Sequence, residues 1–245
     1  MLERFAITKA KPGMSREEFF DYWLNTHAPL VAAIPEYWEF TERYIQNETL
    51  EIEAFGIPKP EYEGVMETWQ RANHGHPERL FSDTALYKEK VAHDGPNFAD
   101  LGNCTVLEAE PNVIVDGPRT GFKMFSFNKR RPDISHDQFV AHWSGPHADI
   151  VRSEPEIMGC FHRYVQHYVT PGTEKRFNGQ PSPFQFDGIL ELWFESPDDL
   201  RRLFESQAYR EKLHPDEDNF MLRGASLRFL LKEIEITPET GRSAS

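Results

Sequence analysis

The sequence has little of what several large protein classes require. Its 245 residues include two cysteines, Cys104 and Cys160, and no CxxC pair, so we expect no disulfide framework and no thiolate zinc site. No apolar run approaches the roughly 20 residues that span a bilayer. The first residues lack the basic and then apolar segments of a signal peptide. The sequence therefore predicts a cytoplasmic protein that does not enter the membrane.

Basic residues are also in the minority. The chain has 27 Lys and Arg against 40 Asp and Glu, a net charge of −13. A surface this acidic repels phosphate backbones and anionic lipids, so we expect no nucleic-acid partner and no membrane partner. Apolar residues still make up 39% of the chain and phenylalanine occurs 19 times. That is enough apolar surface for a sizeable core, which excludes disorder of the whole chain.

The sequence contains one unit twice. Residues 12–46 and 132–166 align without a gap and share twelve identical positions, and the match resumes further along each half after short gaps. The aligned pairs include Pro12 with Pro132, Ser15 with Ser135, Phe19 with Phe139, Trp23 with Trp143, His27 with His147, and Arg43-Tyr44 with Arg163-Tyr164. A fixed internal period of this kind indicates a tandem duplication.

Each copy predicts the element order β-α-β-β-α-β, which is that of a ferredoxin-like unit. A capping box, Ser15 with Glu18 or Ser135 with Gln138, predicts the start of the first helix in each copy. The second helices are predicted at 78–91 and 200–213. We place the first unit at 1–108, a linker at 109–120, the second unit at 121–237 and a frayed tail at 238–245. The connectors 47–63 and 170–187 are rich in Pro, Gly and charge and are interpreted as surface loops or lids.

The doubled pattern K/R-P-x-[I/M]-S-x-x-x-F-x-x-x-W-x-x-x-H-A-x-x-V, followed in each copy by R-Y-x-Q, resembles the EthD family. The resemblance implies an α+β fold, the dimeric α+β barrel, in which two ferredoxin-like units pack sheet to sheet. Here both units would be fused in one chain. It also implies a barrel superfamily of cofactor-free monooxygenases, polyketide cyclases, lactone isomerases and decarboxylases.

From that resemblance we expect a cofactor-independent lyase that decarboxylates, dehydrates or removes a small carbonyl fragment from a small aromatic or polyketide-like molecule. The alternatives are a cofactor-free monooxygenase or cyclase, and a protein that binds aromatic ligands without converting them. The sequence has no GxGxxG, no P-loop and no GxSxG motif, so no nucleotide, flavin or acyl-enzyme mechanism is indicated. Relatives of this kind associate further, and we expect a homodimer.

His27 and His147 are the first candidates for catalysis. Each lies four residues after the helix tryptophan, where we expect the helix to end, and an imidazole there can exchange a proton at neutral pH. The alternative is a structural histidine that caps the helix. His142 replaces Tyr22 and His162 replaces Glu42 in the second copy. We expect His142, His147 and His162 to converge with Tyr164, and this histidine content favours the second copy as the active one.

The remaining candidates would hold the substrate or line the cavity. Arg43 and Arg163 are able to clamp a carboxylate, although a cross-strand ion pair with Glu67 or Glu191 is the favoured alternative. Tyr44 and Tyr164 would donate to an oxyanion, or lie at the contact between sheets. Asp94 with Asn97, and Asp216 with Asn219, would form turn hydrogen bonds or orient a histidine. Trp23, Trp143 and Tyr22 would contact the substrate, and the tryptophans would add apolar surface. No histidine spacing supports a metal site, so none is assigned.

Overall fold

A computed structural model describes residues 2–51, 61–72 and 74–241. Strands alternate with helices along the chain, as the sequence predicts for each copy. The strands of the described residues are β1 (Leu2–Thr8), β2 (Thr41–Thr49), β3 (Gly64–Gln70), β4 (Thr105–Val115), β5 (Phe122–Asn128), β6 (Arg163–Val169), β7 (Lys175–Arg176), β8 (Gly188–Phe194) and β9 (Leu227–Ile236). The duplication is therefore visible in the order of elements.

The helices lie between these strands. Their α-helical segments are α1 (Arg16–Tyr22), α2 (Ala28–Ala32), α3 (Tyr37–Phe40), α4 (Ala85–Lys90), α5 (Gly95–Phe98), α6 (His136–His142), α7 (Ala148–Ser153), α8 (Pro155–Met158), α9 (Pro197–Glu205) and α10 (His214–Glu217). Three π-helical segments, Trp23–His27, Trp143–His147 and Tyr209–Leu213, lie within or beside them. Short 3-10 turns form at Phe81–Asp83, Arg223–Ala225 and Pro238–Gly241. Both predicted capping boxes are confirmed, at Ser15 and at Ser135.

Eight of the described strands close into an antiparallel β-barrel, with the helices outside it. The strands follow the order β1-β3-β2-β9-β5-β8-β6-β4, and β4 returns to pair with β1. Two long strands join the copies. β4 pairs with β1 through its first half and with β6 through its second, while β9 pairs with β5 and with β2. The last strand of each copy therefore pairs with one strand of its own copy and with one strand of the other copy.

The predicted linker and helices are corrected in part. Residues 109–115 belong to β4, because their backbone groups pair with β6 and are not free to form a loop. The second helices differ from the prediction. In the first copy the helix begins at Ala85, after the 3-10 turn, and in the second the helical segment is interrupted at Ser206, between α9 and the π-helical turn Tyr209–Leu213. The connector 47–63 begins inside β2, and its residues 52–60 lie outside the described part of the chain. Residues 242–245 of the predicted tail lie outside it as well.

The barrel interior is apolar at one end and ionic at the other. Its apolar part includes Phe5, Phe125, Phe127 and Phe229, whose rings meet edge to face. At the other end the fully buried Lys123 binds Glu67 and Glu233, and its Nζ lies 2.9 Å from Glu233 Oε2. Arg119 adds hydrogen bonds of 2.9 Å to Glu233 and 3.3 Å to Glu191. Because a buried charge is tolerated when it is paired, these contacts let the barrel close over ionised groups.

Among the described residues no helix combines the length and the apolar character needed to cross a bilayer.

His167 makes the stability of the barrel depend on pH. Its ring is 1% exposed, with Nδ1 2.8 Å from Glu3 Oε2 and Nε2 3.1 Å from Glu191 Oε2. Burial lowers the pKa of His167, but the two carboxylates outweigh it and raise the pKa to about 9. The histidinium therefore stabilises the fold fully below its unfolded value near 6.5, and this contribution disappears as pH rises through about 9.

We expect His167→Asn, which installs the residue of the first copy, to lower the free energy of unfolding by about 3 kcal/mol near pH 6.5 and by much less near pH 9.5. Urea denaturation at both pH values measures this. His136→Asn is the matched control, because His136 pairs with Asp187 through a single ring nitrogen at the partly exposed start of α6. A loss of the same size at both pH values would contradict the assignment.

Candidate active sites between the helices and the barrel

The helix that carries His27 does not end there, contrary to expectation. After α1 the backbone widens into a π-helical turn at Trp23–His27 and continues as α2. The second copy does the same at Trp143–His147, with Pro146 inside the turn. A π turn has i→i−5 hydrogen bonds in place of the i→i−4 bonds of the α-helix, and Pro146 has no N–H to donate to either pattern. The widened turn places each histidine at its last position, and such turns occur frequently at functional sites.

His27 is held by a carboxylate from the opposite end of its repeat. Its Nδ1 lies 2.7 Å from Asp94 Oδ2, and the Tyr22 hydroxyl donates to Asp94 Oδ1 over 2.7 Å. Phe98 packs against both rings, with centroids 4.9 Å from His27 and 5.4 Å from Tyr22. Burial raises the pKa of Asp94, but the hydrogen bonds from His27 and Tyr22 outweigh it and hold the pKa below its usual value. An ionised Asp94 therefore fixes Nδ1 as the protonated nitrogen, and Nε2 remains the nitrogen able to exchange a proton.

The second copy repeats this arrangement with a histidine in place of the tyrosine. His147 Nδ1 and His142 Nε2 each lie 2.9 Å from one oxygen of Asp216. Asn219 donates to the same carboxylate over 3.0 Å. Burial raises the pKa of Asp216, yet the hydrogen bonds from His147, Asn219 and His142 bring it well below its usual value. Asp94 and Asp216 therefore orient histidines. From the sequence alone, this role is the alternative to turn hydrogen bonds.

The two copies differ most in the space beside the histidine. His27 lines a cavity of about 760 Å³ between the helices of the first copy and its sheet, whereas His147 lines one of about 60 Å³. Ligand sites for small molecules usually measure about 300–1,000 Å³. The first cavity therefore has room for a small aromatic molecule and the second does not.

The difference in volume follows from three residues on the outer face of each sheet. In the first copy Arg4 on β1 lies opposite Thr68 and Glu108 on the neighbouring strands. The matching positions of the second copy are Met124, Leu192 and Leu230, which belong to a buried apolar cluster. Apolar side chains pack to exclude space, whereas charged and polar ones need partners or solvent. The second cavity is consequently filled by the core of its own repeat.

Part of the predicted lid also contributes to the first cavity. Residues 173–179, which belong to the connector of the second copy, line the first cavity with Thr173, Lys175, Arg176, Phe177 and Gly179. The short strand β7 holds this connector against β4. The first cavity is therefore built from both halves of the chain.

Tyr44 and Tyr164 line the first and second cavities, respectively. Both are 2% exposed, and both hydroxyls accept a hydrogen bond from a glutamine two residues along the strand, of 2.9 Å from Gln46 and 2.8 Å from Gln166. Burial raises the pKa of both phenols far above the neutral range. Each hydroxyl therefore keeps its proton. Trp23 and Trp143 line the same two cavities beside them.

Three predicted site residues lie elsewhere. His162 does not converge with His147, because it precedes β6 and its Nε2 bonds to the carbonyl of Thr120 over 3.0 Å. Arg43 bonds Glu235 at 2.8 Å and Glu233 at 3.3 Å on the barrel side of β2. Arg163 likewise bonds Asp116 at 2.7 Å and contacts Glu191. Side chains alternate across a strand, so these arginines face away from the cavities that hold Tyr44 and Tyr164.

Arg4 was not singled out from the sequence. It lies in a strand of mixed composition, and its only signal is the contrast with Met124 at the same position of the second copy.

Among the described residues no group of three or more His, Cys, Asp or Glu side chains is arranged to hold a metal ion.

Residues 11–102 and 131–224 each match the model of the EthD domain, so the chain belongs to the EthD family and contains this domain twice. Its fold is similar to that of an anthrone oxidase-like protein, at 10% identity over 96% of this chain and 92% of that chain, with a TM-score of 0.59. It is also similar to a candidate monooxygenase from Lactobacillus acidophilus NCFM, at 11% identity over 97% and 96% of the two chains, with a TM-score of 0.53. No curated protein matches the chain. At these identities the solved structures show a shared fold and no more.

The cavity volumes predict which tryptophan reports on a bound aromatic molecule. We expect a neutral ligand such as 1-naphthol to quench part of the tryptophan fluorescence by entering the first cavity, beside Trp23. Trp23→Phe should remove most of this quenching, whereas the matched variant Trp143→Phe should keep it. Fluorescence titration of both variants and the parent protein measures the effect. Loss of quenching in Trp143→Phe alone would show that the ligand enters the second copy.

Proposed function

We propose that this protein is a cofactor-independent lyase that acts on a small aromatic or polyketide-like molecule in the cavity of the first copy, with His27 as its acid–base residue. One observation carries the proposal. His27 is bound by Asp94 through Nδ1 at 2.7 Å and at the same time lines a cavity of about 760 Å³. A carboxylate behind an imidazole fixes its tautomer and stabilises the imidazolium that forms when Nε2 takes a proton.

The chemistry that this pair supports is an elimination. His27 Nε2 takes a proton from a carbon next to the leaving group, and the C–H electron pair becomes the new double bond. The leaving group departs with its own bonding pair and is then protonated, which balances the step without an electron acceptor. In a decarboxylation the order is reversed, since carbon dioxide leaves first and the histidinium protonates the remaining carbanion. Both reactions need an imidazole with one nitrogen held in place and the other free to exchange a proton. In His27, Nδ1 is bound by Asp94 and Nε2 exchanges the proton.

The environment of the cavity suits an aromatic substrate. Trp23, Tyr44, Phe81 and Phe98 are buried side chains that line it, so the substrate ring would be enclosed by apolar and aromatic surface. A low-dielectric pocket also strengthens the electrostatic effect of the aspartate on the imidazole. These features support binding and proton transfer at one place.

The choice between the copies rests on volume. The histidine content of the second copy favours that copy, and its His142 and His147 share one aspartate. Its cavity of about 60 Å³ holds little more than water, however, so we place the reaction in the first copy. In this account the second histidine pair stabilises its own helix turn.

We also infer that each repeat is a ferredoxin-like unit. The strand order β4-β1-β3-β2 in the first copy and β9-β5-β8-β6 in the second supports this, because each copy has the same antiparallel arrangement with both helices on one face. The two units together then form the fused dimeric α+β barrel that the resemblance implies.

Substitution of the two histidines tests the proposal. We expect His27→Ala to lower kcat by about 10²–10⁴-fold, because general acid–base assistance is lost. His147→Ala, the matched control at the same position of the second copy, should retain most of the activity. Circular dichroism must first show that both variants are folded. The assay incubates aromatic hydroxy acids and polyketide-like ketones with the protein, with and without dissolved oxygen, and follows the products.

Four outcomes would contradict the proposal. Turnover that consumes oxygen would identify a cofactor-free monooxygenase, and ring closure without a lost fragment would identify a cyclase. Saturable binding without turnover of any ligand would indicate a binding protein. A larger loss in His147→Ala than in His27→Ala would place the chemistry in the second copy.

A further inference from the structure

Arg4 is a cation of the first cavity to which the described residues offer no hydrogen bond or ion pair. It lies on β1 between Glu3 and Phe5, which are both buried and belong to the barrel interior, so its side chain is on the face toward the helices. It lines the cavity, and its Nε is buried without a hydrogen-bond partner among the described residues. Those residues also offer its guanidinium no ion pair. Arg4 as a whole is partly buried, and a partly buried charge without a paired carboxylate destabilises the fold.

The carboxylate opposite Arg4 in the sheet is already bound by another arginine. Glu108 lies opposite Arg4 on β4, but its two oxygens accept hydrogen bonds of 3.0 and 2.5 Å from Arg79. Glu108 therefore attracts Arg4 through space without satisfying it, and desolvation lowers the pKa of Arg4 below its usual value. Arg4 stays charged at neutral pH because its ordinary pKa is above 12.

The whole cavity has a charge opposite to that of the chain. Four cationic side chains, Arg4, Arg79, Lys175 and Arg176, line it against two carboxylates, Asp83 and Glu108. Arg176 also has a buried Nε that no described residue binds. The chain as a whole carries a net charge of −13, so this concentration of positive charge is local. A positive cavity in an acidic protein favours entry of an anion.

We propose that Arg4 binds the carboxylate of the substrate, so that the ligand of the first cavity is an aromatic carboxylic acid. The inference rests on the proposed function for the cavity and names its substrate class. Guanidinium and carboxylate fit each other in a bidentate pair, and Arg4 has all of its donors available for one. The aromatic ring would then lie between Arg4 and His27, against Trp23.

The second copy is the internal comparison. Met124 occupies the position of Arg4 there, opposite Leu192 and Leu230, and these side chains belong to a closed apolar core. Arg4→Met therefore makes the first copy resemble the second. Because it removes a partly buried charge that no described residue pairs, we expect it to leave the melting temperature unchanged or to raise it, whereas loss of a structural ion pair would lower it.

The experiment is calorimetric titration with 1-naphthoate and with its neutral analogue 1-naphthamide. We expect the protein to bind the carboxylate about 10- to 100-fold more tightly than the amide, and Arg4→Met to abolish this preference. His27→Ala should retain it, because the carboxylate contact does not involve the imidazole. Arg4→Gln replaces Arg4→Met if the latter does not fold. Arg152→Met, an exposed arginine on α7, is the control for loss of positive charge.

Several results would overturn the assignment. Equal affinity of the parent protein for the two ligands would do so, as would binding of neither. A carboxylate preference that survives Arg4→Met would shift the contact to another cation, with Arg176 as the first to test. If the preference depends on Arg4 but no aromatic acid is converted, the carboxylate site stands and the proposed enzymatic function fails.

Discussion

Closure of the barrel depends on β4 and β9, because each of them hydrogen-bonds to a strand of its own copy and to a strand of the other. Once these two strands join the halves, most of the inner face of the barrel is buried. Side chains on that face, such as Phe125 and Lys123, are fully buried and are satisfied by packing or by ion pairs. The cavities that His27 and His147 line lie instead on the outer face of each sheet, beneath the helices. The position of both histidine–aspartate pairs follows from this constraint.

Duplication gives the chain two such outer faces, and only the second is filled by an apolar core among the described residues. The second copy fills its face with Met124, Leu192, Leu230 and the side chains of α9, which form a continuous apolar core. The first copy has Arg4, Thr68 and Glu108 at the matching positions and leaves about 760 Å³ unfilled. A cavity and a partly buried cation that no described residue pairs both lower the free energy of unfolding. We infer that the packed face of the second copy stabilises the fold, while the first copy holds the proposed substrate site.

Much of the fold could be predicted from the sequence, because the repeat, the capping boxes and the strand alternation are local signals. The pairing of Asp94 with His27 could not be predicted firmly. The two residues are 67 positions apart, and an aspartate after a helix more often makes a turn hydrogen bond. The extension of β4 through residues 109–115 was also missed. Pro111 and Asn112 are typical of loops, and only the neighbouring strand β6 of the other copy makes this segment a strand.

The preference between the copies was the least predictable feature, since cavity volume depends on packing that no single residue reveals. Histidine content pointed to the second copy, while the volume and charge of the first copy point the other way. The signal that could have found the first cavity is the comparison of aligned strands, where Arg4 stands against Met124. In a duplicated chain, polar residues that replace apolar ones on the helix-facing side of one copy are therefore as informative as additional histidines.

The most direct test of this account is a crystal structure of the protein soaked with 1-naphthoate. The account predicts one ligand, located in the first cavity, with its carboxylate at the guanidinium of Arg4 and its ring edge toward Nε2 of His27. A ligand in the second cavity beside His147, or inside the barrel beside Lys123, would contradict it.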